Sequence, residues 1–175
     1  MRILIAGLLG GIAMFIWSSI AHVATPLGTT GINMVTNTAS LNDTVATAID
    51  RRDGLYIFDK LVKGSTMGET GFLVFISNAP TAMVPANLIV EFITEVIESV
   101  IAAWLLAQTV LVGLGARVGF VTMMGVVASI ATNVPYWNWY RFPTSFTIAA
   151  IIITLVAYIV AGVAIALVLR PRTTA

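Results

Sequence analysis

Apolar residues fall along this chain in four long runs, separated by polar segments of very unequal length. The first run is Ile3 to His22, "ILIAGLLGGIAMFIWSSIAH". The second lies within "EFITEVIESVIAAWLLAQTVLVGLGA", residues 91–116, where three glutamates precede a charge-free stretch from Ser99 to Ala116. The third is Val118 to Val134 and the fourth is Ser145 to Leu169. None of them alternates apolar with polar, so none reads as the wall of a closed barrel. A helix crossing hydrocarbon needs roughly 17 to 25 apolar residues. Backbone groups in lipid must bond within their own segment, so runs of this length are helices. The pattern predicts a single integral membrane domain, an all-α bundle of four transmembrane helices. Its spans cover about 3–22, 88–116, 118–136 and 145–169, with an extracytoplasmic segment over 23–87.

Arg2 followed by an apolar stretch and "SSIA" has the outline of a signal peptide cleaved after Ala21. We read the segment as a retained first helix.

The long segment between the first two spans carries its own signals. "SLND", Ser40 to Asp43, reads as a capping box. Leu41, Val45, Ala48 and Ile49 follow it at helical spacing, and "RRDG" closes that helix in a turn at Gly54. "LYIF" and "GFLVFIS" are rich in aromatic and β-branched residues. They read as two strands around "KGSTMGETG". Two strands alone are marginal in water, so the cap is expected to pack on the outer rim of the bundle or on another subunit.

Composition agrees with a membrane location. Of 175 residues, 58% are hydrophobic and 10% charged, against roughly 25% charged in a soluble domain. Mean hydropathy is +0.97. The net charge of +1 gives no basic field for nucleic acid. The absence of cysteine excludes disulfides, Fe–S clusters and thiolate sites. Arg2, Arg117, Arg170 and Arg172 lie in very short segments at one end of the spans, without acidic neighbours. By the positive-inside rule, both termini are cytoplasmic, in what reads as a bacterial inner membrane.

That orientation places the candidate chemistry at the outer end. Glu98 lies roughly 27 Å above Ala116, and Glu95 and Glu91 lie further out. His22 reaches a similar height above Arg2, and Asn133 to Trp137 do so above Arg117. Glu91, Glu95 and Glu98 share one helix face through their i, i+4, i+7 spacing. Ala102, Leu105 and Thr109 continue that face, so it is expected to point into the bundle. The segment "NVPYWNWYRFP" supplies an aromatic belt. Asn133, Tyr136, Trp137 and Trp139 are candidate ligand-binding residues within it. Arg141 is the natural bidentate partner for one glutamate.

Three uses of these residues compete. The glutamates can be wet residues in the first turns of a helix that extends past the bilayer. They can form a binding site for a lipid headgroup, a small polar molecule or a divalent cation, the last held by Glu95, Glu98 and His22. They can also belong to a docking surface for a larger complex. A haem or chlorophyll-type ligand at His22 lacks a second axial candidate, so a hydrogen-bonded interfacial histidine is the better reading. GLLGG at Gly7 lies within a span and cradles no phosphate. No phosphate-loop, zincin or nucleophile-elbow motif occurs. Few polar residues lead inward below the glutamates, which argues against a pump or channel. The sequence therefore points to a non-catalytic membrane protein, an accessory or stabilising subunit within a larger membrane complex. The alternative is a binding or transport protein that uses the acidic-aromatic pocket. Membrane lipids and a protein partner in the membrane are the expected contacts.

Overall fold

The computed structural model describes residues 1–61, 68–77, 84–169 and 171. The Lys63-to-Met67 part of the expected hairpin turn, the Asn-Ala-Pro boundary at 78–80, and Arg170 and Arg172 lie outside the described residues. The fold is mostly helical: α1 (Arg2–Ala24), α2 (Thr38–Ala48), α3 (Pro85–Ala107), α4 (Leu114–Tyr140) and α5 (Thr144–Val168), with one short 3₁₀ turn at Pro26–Thr29. A single antiparallel hairpin, β1 (Gly54–Leu61) with β2 (Gly68–Phe75), interrupts the helices, with Leu55 opposite Val74 and Ile57 opposite Phe72. Among the described residues three helices, α1, α4 and α5, are long and apolar enough to cross a membrane. The 23-residue α3 is of similar length but carries three glutamates.

The helices pack antiparallel in the order α3, α1, α5, α4. Phe15 of α1 meets Phe92 of α3 edge to face, and Trp17 Nε1 donates to the Ile153 carbonyl of α5 at 2.9 Å. Small residues set the spacing, because lipid supplies no hydrophobic drive between helices and close van der Waals packing must hold them together. A Cβ on Gly11 would lie 2.6 Å from the Val96 Cα, and one on Gly7 would lie 2.5 Å from the Val100 Cα. The Gly7/Gly11 pair thus serves the α1–α3 seam within the bundle. At the end where α1 begins and α5 finishes, the four helices share one core that includes Ala6, Leu106, Val121 and Ile165.

The second and third runs divide differently from the pattern's expectation. The second helix stops at Ala107, not Ala116. Its last turn tightens into i→i+3 bonds from the Gln108 and Thr109 amides, and Thr109 Oγ1 turns back onto the Leu106 carbonyl. The β-branched residues and Gly113 that follow leave the helix, and α4 starts at Leu114. Arg117 is consequently inside α4 rather than in a connecting loop. It is 4% exposed and donates to the carbonyls of Ala166 at 3.0 Å and Leu169 at 2.6 Å. It closes the C-terminus of α5, where orphan carbonyls and the helix dipole favour a cation.

At the opposite end, α4 continues to Tyr140 through Pro135. The third span, expected to end at about 136, is therefore helical as far as Tyr140. Arg141 takes φ 58°, and the Phe142 amide donates back to the Tyr136 carbonyl at 3.3 Å. This is a left-handed helix stop adopted without glycine, with the Arg141 amide bonded to the same carbonyl. In the cap, Asn37 rather than Ser40 starts α2, its side chain accepting from the Ser40 amide at 3.1 Å. The helix therefore begins two residues before the expected box. Asp53 accepts from the Ser77 amide at 2.8 Å. That bond favours the charged form and holds its carboxyl below the usual range. The hairpin leans on the α4–α5 turn through Phe72, whose ring lies 5.0 Å from Tyr140 and 5.9 Å from Phe142.

Gly11→Leu is expected to wedge α1 from α3 and destabilise the protein by about 1–3 kcal/mol or more. Gly119→Ala, where a Cβ meets nothing within 4 Å, is expected to be neutral or slightly stabilising. Thermal unfolding of both variants in one detergent checks the contrast.

Candidate functional site

Above the shared core the helices enclose a cleft of about 360 Å³. Its walls follow from helical spacing. Met14, Ser18 and His22 of α1 stand one turn apart, and Glu91, Thr94, Glu95 and Glu98 occupy one side of α3. Thr132 and Asn133 come from α4, while Thr154, Ala157 and Tyr158 come from α5. Leu27 and Gly28 of the 3₁₀ turn border the cleft near His22. Among the described residues no lysine or arginine lines it.

Glu95 is the centre of this arrangement. It is 5% exposed, and its Oε1 accepts from the Ser18 hydroxyl at 2.5 Å. Its Oε2 is buried and has no hydrogen-bond partner. One turn further in, the buried Ser99 hydroxyl is likewise unpartnered, packed against Gly10. Glu98 accepts a long hydrogen bond from the Tyr158 hydroxyl at 3.4 Å. Tyr158 reaches this position because Gly125 of α4 leaves room: a Cβ there would lie 2.7 Å from the Tyr158 Cβ. His22 is exposed at the rim, and its Nδ1 donates to the Ser18 carbonyl at 2.9 Å. The imidazole thus engages the Ser18 backbone and not its hydroxyl.

The residues expected at one level separate into two groups. Glu91, Glu95, Glu98, His22 and Asn133 do border a common cleft. Tyr136, Trp137, Trp139 and Arg141 do not line it. Tyr136 stacks near Tyr140 and Phe142, and Trp137 Nε1 donates to Thr144 Oγ1 at 3.1 Å. Trp139 is 77% exposed. Arg141 faces a second hollow with Gly31 and Phe72, beneath the hairpin. Among the described residues the one ion pair is Arg52 with Asp50, so Arg141 pairs with none of the glutamates. Its turn toward the hairpin follows from its left-handed backbone. Nor do Glu95, Glu98 and His22 form a metal-holding group: no cluster of three or more such ligands occurs among the described residues. The Ser18 and Tyr158 hydroxyls take the positions facing the carboxylates.

Depth also changes. Because α3 ends at Ala107, Glu98 lies only roughly 13 Å along the helix from its C-terminal end, Glu95 roughly 18 Å and Glu91 roughly 24 Å. Tyr158 lies roughly 15 Å from the Val168 end of α5 on the same scale. A hydrocarbon core is about 30 Å thick. The Glu95–Glu98–Tyr158 group is thus near mid-depth of the helices, not at their outer mouth. The sequence reading missed Ser18 and Tyr158. Tyr158 did leave a signal, since a tyrosine in the middle of an apolar run needs a partner for its hydroxyl.

Fold and site together define a mostly helical protein with membrane-crossing helices and an acidic cleft among them. No known protein family, characterised protein or solved structure matches the chain significantly.

Ser18→Ala removes the single hydrogen bond to a buried carboxylate and is expected to cost about 1–3 kcal/mol of stability. Tyr158→Phe, which removes the long bond to Glu98, is expected to cost less than Ser18→Ala. Unfolding midpoints in the same detergent check this order.

Proposed function

We propose that the protein is a non-catalytic integral membrane binding protein whose acidic cleft takes a cationic head group. The observation that carries this reading is Glu95, a nearly fully buried carboxylate with one oxygen bonded to Ser18 and the other without a partner. Buried charges require compensation. The cleft offers Glu91, Glu95 and Glu98 with no lysine or arginine among its lining residues. An ammonium group supplies three donors and the missing positive charge.

In this reading α3 is the fourth span of a four-helix bundle. Its 23 residues rise roughly 33 Å, it packs along α1, and Glu95 is turned inward, as a polar group in lipid must be. The membrane is a bacterial inner membrane with both termini cytoplasmic, as Arg2, Arg170 and Arg172 favour. The hairpin and α2 are then extracytoplasmic. The apolar core beneath Glu98, including Ala102, Leu106, Val121 and Ile165, closes the cleft below and favours binding over conduction.

A second reading is favoured by the hairpin surface. Leu55, Ile57, Val74 and Ile76 are all more than half exposed, and the two-stranded sheet leaves both outer edges unpaired. Such a surface suits an accessory subunit seated in a larger membrane complex. A strictly monomeric particle from mild-detergent purification would sink that reading.

The binding reading is tested by titrating butylammonium calorimetrically into the protein in nanodiscs. Glu95→Gln keeps an acceptor for Ser18 and is expected to weaken binding at least about tenfold, equivalent to about 1.4 kcal/mol. Equal affinity for the two proteins would refute it.

A further inference from the structure

We infer that the cleft takes its ligand from the bilayer, and that this ligand is a long-chain amine whose head reaches Glu95 while its chain lies between α3 and α4. This inference rests on the binding reading above. Three observations lead to it.

The first is where the cleft opens. The back wall is continuous, since α1 packs on both α3 and α5, and α5 on α4. The outer helices α3 and α4 have little direct contact. Their buried residues in the shared core are Ala102, Ala103 and Leu106 on one side and Val121 on the other, with Phe120, Met124 and Ala128 of α4 packed against it. Further out the two helices flank the cleft instead of closing it. The resulting gap runs lengthwise between two helices and faces sideways, where lipid chains lie.

The second is the polarity along that gap. Thr94, Glu98, Ile101 and Leu105 follow i, i+4, i+7, i+11 spacing and so form one flank of α3. The flank passes from polar to apolar in the inward direction, and Ile101 is 49% exposed. A head group held at Glu95 and Glu98 would therefore have an apolar track beside it. At the upper end Leu27 and Gly28 border the cleft, and Gly28 sits directly against the His22 backbone, where a Cβ would be 2.5 Å from the His22 Cα.

The third is charge. Three glutamates, with no lysine or arginine beside them among the described lining residues, repel phosphate and carboxylate head groups. Zwitterionic and anionic phospholipids are thereby disfavoured, and an amphiphile with an ammonium head and no phosphate is selected. One N–H meets the open oxygen of Glu95, and the others have Glu98 and the neighbouring hydroxyls as acceptors.

The test uses dodecylamine carrying a diazirine at the far end of its chain, incorporated into zwitterionic nanodiscs with the full-length protein. Irradiation is expected to label α3 around Ile101 and Leu105. Glu95→Gln should reduce that labelling at least about tenfold. The matching diazirine alcohol should give no labelling sensitive to Glu95. Labelling that is unchanged in Glu95→Gln, or confined to the lipid-facing surfaces of α4 and α5, would overturn the inference. Butylammonium titration separates the two levels. Glu95-dependent butylammonium binding without labelling in the gap rejects entry from the bilayer and retains the acidic cleft as a binding site. Loss of both results rejects both.

Discussion

A carboxylate cannot face hydrocarbon, and in the proposed reading of α3 as a fourth span the placement of Glu95 meets that constraint. Its helix is turned so that the acid points toward α1, where Ser18 donates to one oxygen. The same rotation brings Glu98 toward Tyr158 of α5 and leaves Ile97, Ile101 and Trp104 on the exposed side. The other oxygen of Glu95 is left open. A fully satisfied carboxylate would be a structural cross-link between helices. A half-satisfied one beside a cleft is a site with a specific chemical need.

Glycine makes this rotation possible. Close approach of α1 and α3 at Gly7 and Gly11 brings Ser18 within reach of a glutamate side chain on the neighbouring helix. Gly125 does the same for Tyr158, which crosses over α4 toward the third helix. The small residues at these seams therefore support both packing and the geometry of the polar group. Arg117 plays the corresponding part at the other end. It meets the unpaired carbonyls of α5 and ties the two helices beneath the sealed core.

The aromatic segment takes a different role from the one its composition suggests. Tyr136, Tyr140, Phe142 and Phe146 form a run of ring contacts, and Phe72 of the hairpin joins it. These rings fasten the small sheet to the α4–α5 turn. That attachment offsets the marginal stability of an isolated hairpin. The acidic cleft and the aromatic cluster meet at Phe146, which lines the cleft and stacks on Phe142; the other rings of the cluster do not line the cleft.

Much of this was legible in the chain because lipid is a simple solvent. Long apolar runs dictated helices, the i, i+4, i+7 spacing placed the glutamates on one side, and aromatic and β-branched stretches marked the hairpin. Where those helices end depended on finer matters. Thr109 back-bonding and Gly113 stop α3 nine residues early, and that shift moves Glu98 from an outer rim to mid-depth. Arg141 was the obvious counter-ion by charge and proximity in sequence, yet its left-handed backbone turns it toward the hairpin. Ser18 and Tyr158 are unremarkable in a linear reading, since each lies on a different helix from the acid it meets. Composition and periodicity by themselves determined the class of elements and which faces must be hidden from lipid. Only tertiary packing decided which hydroxyl meets which carboxylate and which oxygen is left open, because helix rotation and depth are set by contacts between residues far apart in the chain.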